Sequence, residues 1–446
     1  MPSDKTKIGS IVVSCAISAF YTCDMKRKLL FITFILNHFV FYCAAQQQQA
    51  DTTYQLPDIL TSQSGKKITN KTDWENVRRP EIINLFAKNV YGETATKKTP
   101  LHFETRSFNS NALNGTATRK QVRVYFSRNE KYYMDVLLYI PNKRDKPAPL
   151  FLGLNFSGNQ AVNADTGITI TKRWVTYGKV PAYKNHFAKE ASRGIDSDEW
   201  PVEQIIAGGY GLATIYYGDL QPDSANSVNA GIAPLFYSKG QTKPAADEWG
   251  AIGVWAWGLS RAMDYIETDK DIDSKKVAVI GHSRLGKTAL WAAAQDTRFA
   301  MVISNNSGEG GAAITRRKYG ETIDLINNAF PHWFCGNFKL YNKKENDLPV
   351  DFHELIALIA PRPVYVASAT EDQWADPTGE YLSAYHAGAA YALYGLKGLT
   401  NSQSPNENTP VGDGSVGYHL RKGEHALTPY DWTQYIRFAD RFSKVH

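Results

Sequence analysis

The sequence predicts an α/β fold in which helices cover both faces of a mostly parallel central sheet, a three-layer αβα sandwich. Apolar strands alternate with amphipathic helices after an antiparallel start, which is the pattern of such a fold. Residues 277–280 (Val-Ala-Val-Ile) form a short β-branched run that is typical of a strand buried on both faces. Helical composition follows within a few residues, so this strand must turn sharply into a helix. No internal repeat is visible, and about 400 residues can supply one large core.

The predicted elements alternate along the chain. A helix over residues 74–90 precedes two alternating strands, the second of which ends in the turn Pro141-Asn142-Lys143. These two strands give the sheet its antiparallel entry, and a long helix later leads into the strand at 277–280 as a right-handed βαβ pattern. The predicted strands are 121–126, 132–140, 149–155, 210–217, 277–280, 300–303 and 363–367, and the later helices are 249–266, 355–359, 380–396 and 430–442.

Two loop regions are expected to face a functional site. Residues 160–200 lack a strong period and contain several aromatic residues, so we expect an insertion over the face that carries the site, because loops there carry function. The loop that begins at Phe156, after the strand 149–155, is expected to give one backbone N–H to an oxyanion hole.

The first 45 residues are interpreted as a targeting segment. Residues 25–28 (Met-Lys-Arg-Lys) are basic, residues 29–42 are apolar, and Cys43-Ala44-Ala45 has the small residues of a cleavage site. This order predicts a secretory signal peptide with translation starting at Met25, and export to the periplasm or the cell exterior. The alternative is a membrane anchor, but the apolar run is shorter than the roughly 20 residues that a spanning helix needs. Residues 46–446 are then expected to form a single catalytic domain without stable membrane insertion.

The composition of the mature chain limits its partners. Removal of residues 1–45 deletes five basic and two acidic residues and lowers the formal charge from +6 to +3. No basic run is present that would follow a phosphate backbone, so nucleic-acid binding is disfavoured. Three of the four cysteines lie in the removed segment, and Cys335 alone cannot form an intrachain disulfide. Stability must therefore come from a large core, and we expect a monomer.

Residues 281–286 (Gly-His-Ser-Arg-Leu-Gly) have the features of a nucleophile elbow. A strand that reverses into a helix within a few residues lifts one side chain, Ser283, out of the sheet. The usual Gly-x-Ser-x-Gly spacing is not kept, because Leu285 stands two residues after the serine and the second glycine is Gly286. Serine is also common as a helix N-cap. The order of later residues therefore decides between these two interpretations.

That order is the order of an α/β-hydrolase fold, in which the nucleophile, the acid and the histidine follow one another along the chain. A free hydroxyl is a poor nucleophile, so Ser283 needs a base. His425 lies in a glycine-bearing loop just before the last helix and is the predicted base, with a surface histidine as the alternative. Asp372 follows the strand 363–367 and is the predicted acid, which would hold the imidazole tautomer and stabilise the imidazolium.

Other charged residues near these positions have simpler or additional roles. Asp376 precedes Pro377 and is expected to cap a helix. Arg284 and Lys287 lie in the first turn of the nucleophile helix, where cations are unfavourable because the dipole end is already positive. Their presence predicts an anionic or polar ligand or a developing oxyanion, although Lys287 could be a surface residue. The backbone N–H and the guanidinium of Arg284 would stabilise a tetrahedral intermediate.

Several motifs, in this order, resemble carbohydrate esterase family 15, the glucuronoyl esterases, in its bacterial branch. The resemblance covers the catalytic half and extends over residues 70–445. The motifs are Gly-His-Ser-Arg-Leu-Gly-Lys (281–287), Ser-Asn-Asn-Ser-Gly-Glu-Gly-Gly (304–311), Arg316-Arg317, Glu321, His332-Trp333-Phe334, Ala-Pro-Arg-Pro (360–363) and Glu-Asp-Gln-Trp-Ala-Asp-Pro (371–377).

The resemblance implies hydrolysis of the ester that joins 4-O-methyl-glucuronic acid of glucuronoxylan to a lignin alcohol. It places Ser283 as the nucleophile, His425 as the base and Arg284 as the residue that assists the oxyanion. No cofactor is implied, and no His-x-x-x-His or Cys-x-x-Cys pair indicates a metal site. The expected partner is glucuronoxylan or a lignin-carbohydrate ester.

The resemblance also implies a binding site for the uronic acid. Lys287, Glu321 and Trp374 fall where the family contacts this sugar, and Trp333 is a further aromatic candidate. Glu321 can accept protons of sugar hydroxyls, Lys287 can donate to their oxygens, and an indole face can cover a pyranose ring. Core packing is the alternative for each tryptophan.

One departure from the family concerns the catalytic acid. Many members carry it as a glutamate after the strand that follows the nucleophile helix, and Asn306 holds that place here. An amide cannot carry the negative charge, so the acid after the later strand is needed, and Asp372 fits. Glu309 is the fallback. The alternative functions are an acetyl-xylan or other acyl esterase with the same triad, and a carbohydrate-binding protein that has lost catalysis.

Overall fold

A mixed β-sheet organises the chain in the computed structural model, which describes residues 50–97, 99–176 and 181–443. The predicted targeting segment lies outside these residues, and the described residues from Asp51 onward form one compact unit. The strands are β1 (His102–Ala112), β2 (Ala117–Tyr125), β3 (Tyr133–Pro141), β4 (Ala148–Asn155), β5 (Tyr183–Lys184), β6 (Phe187–Ala188), β7 (Gly211–Tyr216), β8 (Ile272–His282), β9 (Met301–Asn305), β10 (Val364–Ala369) and β11 (Val416–Arg421).

The helices alternate with the strands from β7 onward. The predicted helix at 74–90 is found as part of a continuous helical run. In this run, π-helical turns at Trp74–Arg78 and Ala87–Tyr91 each follow a short α-helix. The α-helices are α1 (Lys71–Asp73), α2 (Arg79–Phe86), α3 (Asn159–Val162), α4 (Val202–Ala207), α5 (Ala251–Ile266), α6 (Arg284–Gln295), α7 (Ile323–Ala329), α8 (Phe352–Ala357), α9 (Pro377–Ala392) and α10 (Pro429–Ser443). Short 3₁₀ turns lie in the connections.

The sheet has the predicted antiparallel entry and parallel body. Within the described ranges its strand order is β1-β2-β3-β7-β4-β8-β9-β10-β11, and β5 and β6 form a separate hairpin. The pairs from β1 to β7 are antiparallel. The pairs from β7 to β11 are parallel. The carboxyl ends of six parallel strands therefore meet at one edge, which is where ligands bind in such sheets.

Alternating side chains of β8 supply two separate cores, one on each face of the sheet. Val277 and Val279 join a core that includes residues of α2, α5, α6, α8 and α9. Ala278 and Ile280 point to the other face, where they join a core with α4 and α10. Because successive strand residues point to opposite faces, an apolar run in β8 requires helices on both sides. The three-layer αβα sandwich is confirmed.

Two strands of the central sheet, β1 and β11, lie outside the predicted elements, as do the short β5 and β6 of the separate hairpin. β1 is an edge strand with many exposed polar residues, so its sequence does not show a clean apolar alternation. β11 is buried although it reads Val-Gly-Tyr-His-Leu-Arg, because its polar members find partners inside the fold. His419 lies 2.7 Å from Asp431, and the Arg421 guanidinium contacts backbone carbonyls. A buried strand that contains such paired polar residues lacks an apolar pattern, so it could not be predicted from the sequence.

Candidate active site

The turn from β8 into α6 has the geometry of a nucleophile elbow. Ser283 has φ 56° and ψ −130°, a conformation that is strained for a residue with a Cβ atom. Such strain at a turn between a strand and a helix is what projects the serine side chain from the sheet. At Gly281 a Cβ atom would lie 1.9 Å from the carbonyl oxygen of Leu285, so this position requires glycine.

The unusual glycine spacing also has a structural reason. Leu285 is buried, while Gly286 faces the next loop, where a Cβ atom would come within 3.0 Å of the Ser307 side chain. The helix therefore passes close to the loop after β9 at Gly286, which leaves little room for a side chain at this position.

A buried hydrogen-bond network fixes the residue before the nucleophile. The Ser283 backbone N–H donates to the Asn305 carbonyl at 2.9 Å, and His282 Nδ1 lies 2.6 Å from Asn305 Oδ1. The Asn305 amide donates to the Tyr435 hydroxyl at 2.8 Å. Burial, together with the neighbouring His425, lowers the pKa of His282 to about 3. His282 is thus a neutral structural histidine and not a second base.

Asp372 and His425, the predicted acid and the predicted base, lie within hydrogen-bonding distance of each other. His425 Nδ1 lies 2.6 Å from Asp372 Oδ2, and the Asn306 amide donates to the same oxygen at 2.8 Å. Burial by itself would raise the pKa of Asp372, but the hydrogen bond and charge of His425 and the hydrogen bond from Asn306 lower it below its ordinary value. The carboxyl group is therefore ionised at neutral pH and can hold the imidazole.

The loops that carry Asp372 and His425 are joined by their backbones. The Thr370 N–H donates to the Arg421 carbonyl and the Glu371 N–H donates to the Gly423 carbonyl, both at 2.9 Å. These bonds extend the parallel pairing of β10 and β11 beyond the ends of the strands. The acid and the base therefore come together because their strands are neighbours.

The imidazole of His425 lies close to the turn that carries Ser283. The rings of His425 and His282 have centroids 4.5 Å apart, and Ser283 directly follows His282. Among the described residues no hydrogen bond joins the Ser283 hydroxyl to the imidazole. Such contacts are often long in an unliganded site and tighten when substrate binds. The structure thus brings the three predicted residues to one edge, and the proton transfer between Ser283 and His425 remains a prediction.

Arg284 is anchored by an aspartate that the sequence analysis did not single out. A guanidinium nitrogen of Arg284 donates to Asp223 Oδ2, and its central carbon lies 4.5 Å from the Trp333 ring centroid. His332 Nε2 and Trp333 Nε1 each lie 2.7 Å from Asp223 Oδ1. Burial opposes ionisation of Asp223, but the hydrogen bond from His332 and the charge of Arg284 outweigh it and lower its pKa to about 2. Asp223 sits in a polar connection without a motif, so only the fold reveals it.

Lys287, Glu321 and Trp374, which are predicted to contact the sugar, lie next to one another in the structure. Lys287 is buried, which contradicts the alternative of a surface residue, and its ammonium donates to the carbonyls of Ser307 and Glu309 at 2.5 and 2.6 Å. Its nitrogen lies 3.7 Å from Glu321 Oε2. The Trp374 side chain is 40% exposed. The buried charged pair and the partly exposed indole can together bind a polar ring.

The charge states of this pair depend on each other. Burial lowers the pKa of Lys287, and the carboxylate of Glu321 opposes that effect. Burial likewise raises the pKa of Glu321, and Lys287 together with a hydrogen bond from Trp374 opposes it. Each group thus partly offsets the effect of burial on the pKa of the other, and burial remains the largest cause of both shifts.

Trp333 fits the alternative of core packing, and Glu309 does not contact the predicted base. Trp333 is buried and stacks on Phe330 with ring centroids 3.7 Å apart, so it packs behind Arg284 and does not present an open face. Glu309 is buried, and burial raises the pKa of its carboxyl group well above its usual value. His425 is paired with Asp372, and none of the described contacts joins it to Glu309. The fallback acid is therefore not in the position of a triad member.

Glu380, in α9, is a further buried carboxyl group that supports the site. It accepts the N–H groups of Ser307 and Gly308 at 2.6 and 2.9 Å, and the Ser368 hydroxyl at 2.6 Å. It therefore holds the loop that presents Asn306 to the acid. Burial raises the pKa of Glu380 to about 8. Its place in a predicted helix gave no signal of this role in the sequence.

Searches for other features concern the described residues alone. Within the described ranges no helix has the length and apolar character that a bilayer crossing requires. In the same ranges no group of three or more His, Cys, Asp or Glu side chains is arranged to hold a metal ion. The expectation that the reaction needs no cofactor stays a prediction.

Comparison with known proteins gives consistent results. A model of the family described as fungal glucuronyl esterases matches residues 206–395. A glucuronoyl esterase from Solibacter usitatus has a similar structure, with a TM-score of 0.82 and 48% identity over 87% of this chain and 98% of its own. A promiscuous CE15 esterase from a marine bacterial metagenome also has a TM-score of 0.82, with 50% identity over 87% and 97% of the two chains. A 4-O-methyl-glucuronoyl methylesterase of Wolfiporia cocos is 35% identical over 42% of this chain and 47% of its own length.

Proposed function

The chain belongs to the glucuronoyl esterases of carbohydrate esterase family 15, and we propose that Ser283, His425 and Asp372 carry out its ester hydrolysis. The observation that carries this proposal is the 2.6 Å contact between His425 Nδ1 and Asp372 Oδ2 beside a strained serine turn. A bond at Nδ1 places the free lone pair of the neutral imidazole on Nε2, the nitrogen that can accept a proton from a serine.

The reaction proceeds through an acyl-enzyme. Ser283 Oγ attacks the ester carbonyl while His425 Nε2 takes its proton, and the imidazolium is stabilised by Asp372. The tetrahedral intermediate collapses, His425 gives the proton to the departing alkoxide, and the alcohol leaves. A water molecule then attacks the acyl-enzyme, with His425 again accepting and returning one proton. The uronic acid and Ser283 are released in their starting forms.

Arg284 supplies the positive charge for the oxyanion. Its guanidinium is held by Asp223 and covered by the Trp333 ring, so it does not have to reorganise when negative charge develops. Phe156 lies beside this group, with the Arg284 guanidinium 5.6 Å from its ring centroid. The loop after β4 is therefore near enough to contribute the backbone donor that the fold usually provides.

The substrate is an ester of 4-O-methyl-glucuronic acid in glucuronoxylan with a lignin alcohol. Lys287 and Glu321 offer a donor and an acceptor for the sugar hydroxyl groups, and the exposed Trp374 indole can cover the ring. An acetyl group would need none of these contacts. Two of the relatives, a glucuronoyl esterase and a 4-O-methyl-glucuronoyl methylesterase, support the same substrate class.

An acetyl-xylan or other acyl esterase is the second candidate, because one similar structure is described as a promiscuous esterase. The triad would be the same, and only the acyl pocket would differ. A carbohydrate-binding protein without catalysis is disfavoured by the pairing of Asp372 with His425. We further propose that the enzyme is exported, which rests on the order of basic, apolar and small residues in 1–45, and that it acts as a monomer.

The test compares benzyl glucuronate with acetylated xylan as substrates for the wild type and three variants. We expect turnover of the glucuronate ester, its loss in Ser283→Ala, and a fall in kcat of about 10⁴-fold in Asp372→Asn because the imidazole is held in the wrong tautomer. Glu309→Gln is the matched control, a buried carboxyl group outside the triad. Preference for acetylated xylan would overturn the proposed substrate class. Loss of turnover in Glu309→Gln alone would overturn the assignment of Asp372 as the catalytic acid.

A further inference from the structure

Arg421 hydrogen-bonds the backbone of the loop that carries His425. This residue ends β11, is buried, and donates from one guanidinium nitrogen to the carbonyls of Glu424 and Ala426 at 2.7 and 2.8 Å. Its other terminal nitrogen donates to the Lys422 carbonyl at 3.1 Å. The peptide groups on both sides of His425 are thus bound to a single rigid planar group.

A buried acid fixes Arg421 in turn. Arg421 Nε lies 3.2 Å from Asp431 Oδ2, and the Thr428 backbone N–H and hydroxyl both donate to that oxygen at 2.7 Å. His419 Nε2 lies 2.7 Å from the other oxygen of Asp431. Burial would raise the pKa of Asp431, but the hydrogen bond and charge of His419 outweigh it, so the pKa is lowered. The loop is therefore tied at its start by Arg421 and at its end by Thr428.

The loop needs such a support because its own packing is weak. The His425 side chain is 43% exposed, and its bond to Asp372 fixes the imidazole at Nδ1 but not the backbone that carries the ring. Gly423 allows the close passage of the loop over the arginine. It has φ 117°, and a Cβ atom there would lie 2.9 Å from a terminal nitrogen of Arg421.

We propose that Arg421 is a positioning residue for the base, holding the His425 loop so that the imidazole lies between Asp372 and Ser283. This inference rests on the proposed role of His425 in catalysis. Lysine cannot replace the arginine, because a single ammonium lacks the fork that reaches two carbonyls in a fixed geometry. Small displacements of a catalytic group cost much rate, so the effect of the substitution falls on turnover.

The test uses Arg421→Lys with Arg362→Lys as the matched control. Arg362 also binds three backbone carbonyls, those of Ala293, Asp296 and Phe299, but at the far end of the sheet from the site. Both variants lose the same kind of contact. We expect kcat to fall about ten- to a hundredfold in Arg421→Lys with KM unchanged, and kcat to stay at the wild-type value in Arg362→Lys.

A second readout follows the imidazole itself. The proton on His425 Nδ1, shared with Asp372 over 2.6 Å, is expected to give a downfield resonance that His425→Ala abolishes. We expect this resonance to shift or broaden in Arg421→Lys and to remain in Arg362→Lys. A general loss of stability would not distinguish these two variants.

The outcomes separate this inference from the proposed function. If His425→Ala retains turnover, the triad assignment fails. If His425→Ala is inactive while Arg421→Lys keeps the kcat and the resonance of the control, only the role of Arg421 is overturned. Should Arg421→Lys be recovered unfolded, Asp431→Asn, which leaves the guanidinium in place without its anchor, is expected to lower kcat in the same way, and an unchanged kcat there would overturn the role.

Discussion

Asn306 donates its amide to Asp372 Oδ2 at 2.8 Å, the same oxygen that lies 2.6 Å from His425 Nδ1. The position at which the family resemblance leads us to expect a glutamate thus holds a donor to Asp372, the predicted acid after the later strand. An amide has no charge to offer the imidazole, but it stabilises the charged form of the carboxylate that does. Asn306 and Asp372 therefore form one functional unit.

Loss of the Asn306 amide is expected to reduce turnover. In Asn306→Ala the acid loses a hydrogen bond to its charged form, which is worth about 1.5–3 kcal/mol, so kcat should fall about ten- to a hundredfold. The measurement is steady-state turnover of benzyl glucuronate. Asn327→Ala is the control, because this buried amide donates at 2.8 Å to Asn342 and not to the acid. A kcat equal to that of the control would contradict the prediction.

Asp223 is expected to make the fold sensitive to acid. Its pKa of about 2 in the folded protein lies below the ordinary value of 3.8, so the unfolded chain binds more protons between these values. The stability that ionised Asp223 contributes is present above pH 4 and is lost as the pH falls towards 2. This contribution amounts to about 2 kcal/mol.

Urea unfolding as a function of pH measures this contribution. The wild type should be more stable than Asp223→Asn at neutral pH, and the difference should shrink by about 2 kcal/mol between pH 4 and pH 2. The exposed Asp145, changed to Asn, serves as the control for the loss of one carboxyl group. A gap that stays constant for Asp223→Asn would refute the linkage.

The two tryptophans of the site should differ in their effect on stability. Trp333 is buried, stacked on Phe330 and bonded to Asp223, so Trp333→Ala should cost about 3–5 kcal/mol of unfolding free energy. Trp374 is 40% exposed, and Trp374→Ala should change stability by only about 0.5 kcal/mol while weakening the binding of uronate esters. Denaturant unfolding and KM values check both expectations. Equal losses of stability would show that the indole of Trp374 is packed and not presented to a sugar.

Glu321 should contribute to binding of the uronic acid and not to the chemistry of acyl transfer. Glu321→Gln removes a charged acceptor and the partner of Lys287, so kcat/KM for benzyl glucuronate should fall about ten- to a hundredfold. The matched control is a second substrate, 4-nitrophenyl acetate, for which the same variant should retain its rate. A parallel loss on both substrates would place Glu321 in the catalytic steps and remove it from the sugar site.

Much of the fold could be predicted because most of its long strands and helices carry a local signal. The β-branched run of β8 requires cover on both faces, and the helical spacing in α5 and α10 provides apolar stripes to cover it. Where polar residues are satisfied only by distant partners, as His419 and Arg421 are in β11, the local pattern is lost. The edge strand β1 is missed for the opposite reason, since its exposed side chains need no pattern.

The site was predictable where chain order carries the chemistry. Ser283 and Asp372 follow strands that the sequence marks, and His425 precedes the last helix, which the sequence also marks, so their order along the chain could be recognised. Asp223 and Glu380 could not be found in this way. Each of them acts through bonds to residues far along the chain, and no sequence motif marks either of them as part of a site.

The sequence by itself determined the class of fold, the turn that carries the nucleophile and the order of the residues that follow it. These depend on local properties, namely side-chain branching, glycine conformation and apolar period. Only the tertiary structure decided which carboxyl group meets His425, which residue anchors Arg284 and that Trp333 is buried. The physical reason is that hydrogen bonds and burial depend on distances in space, and residues that are remote in the chain acquire those distances only when the sheet has formed.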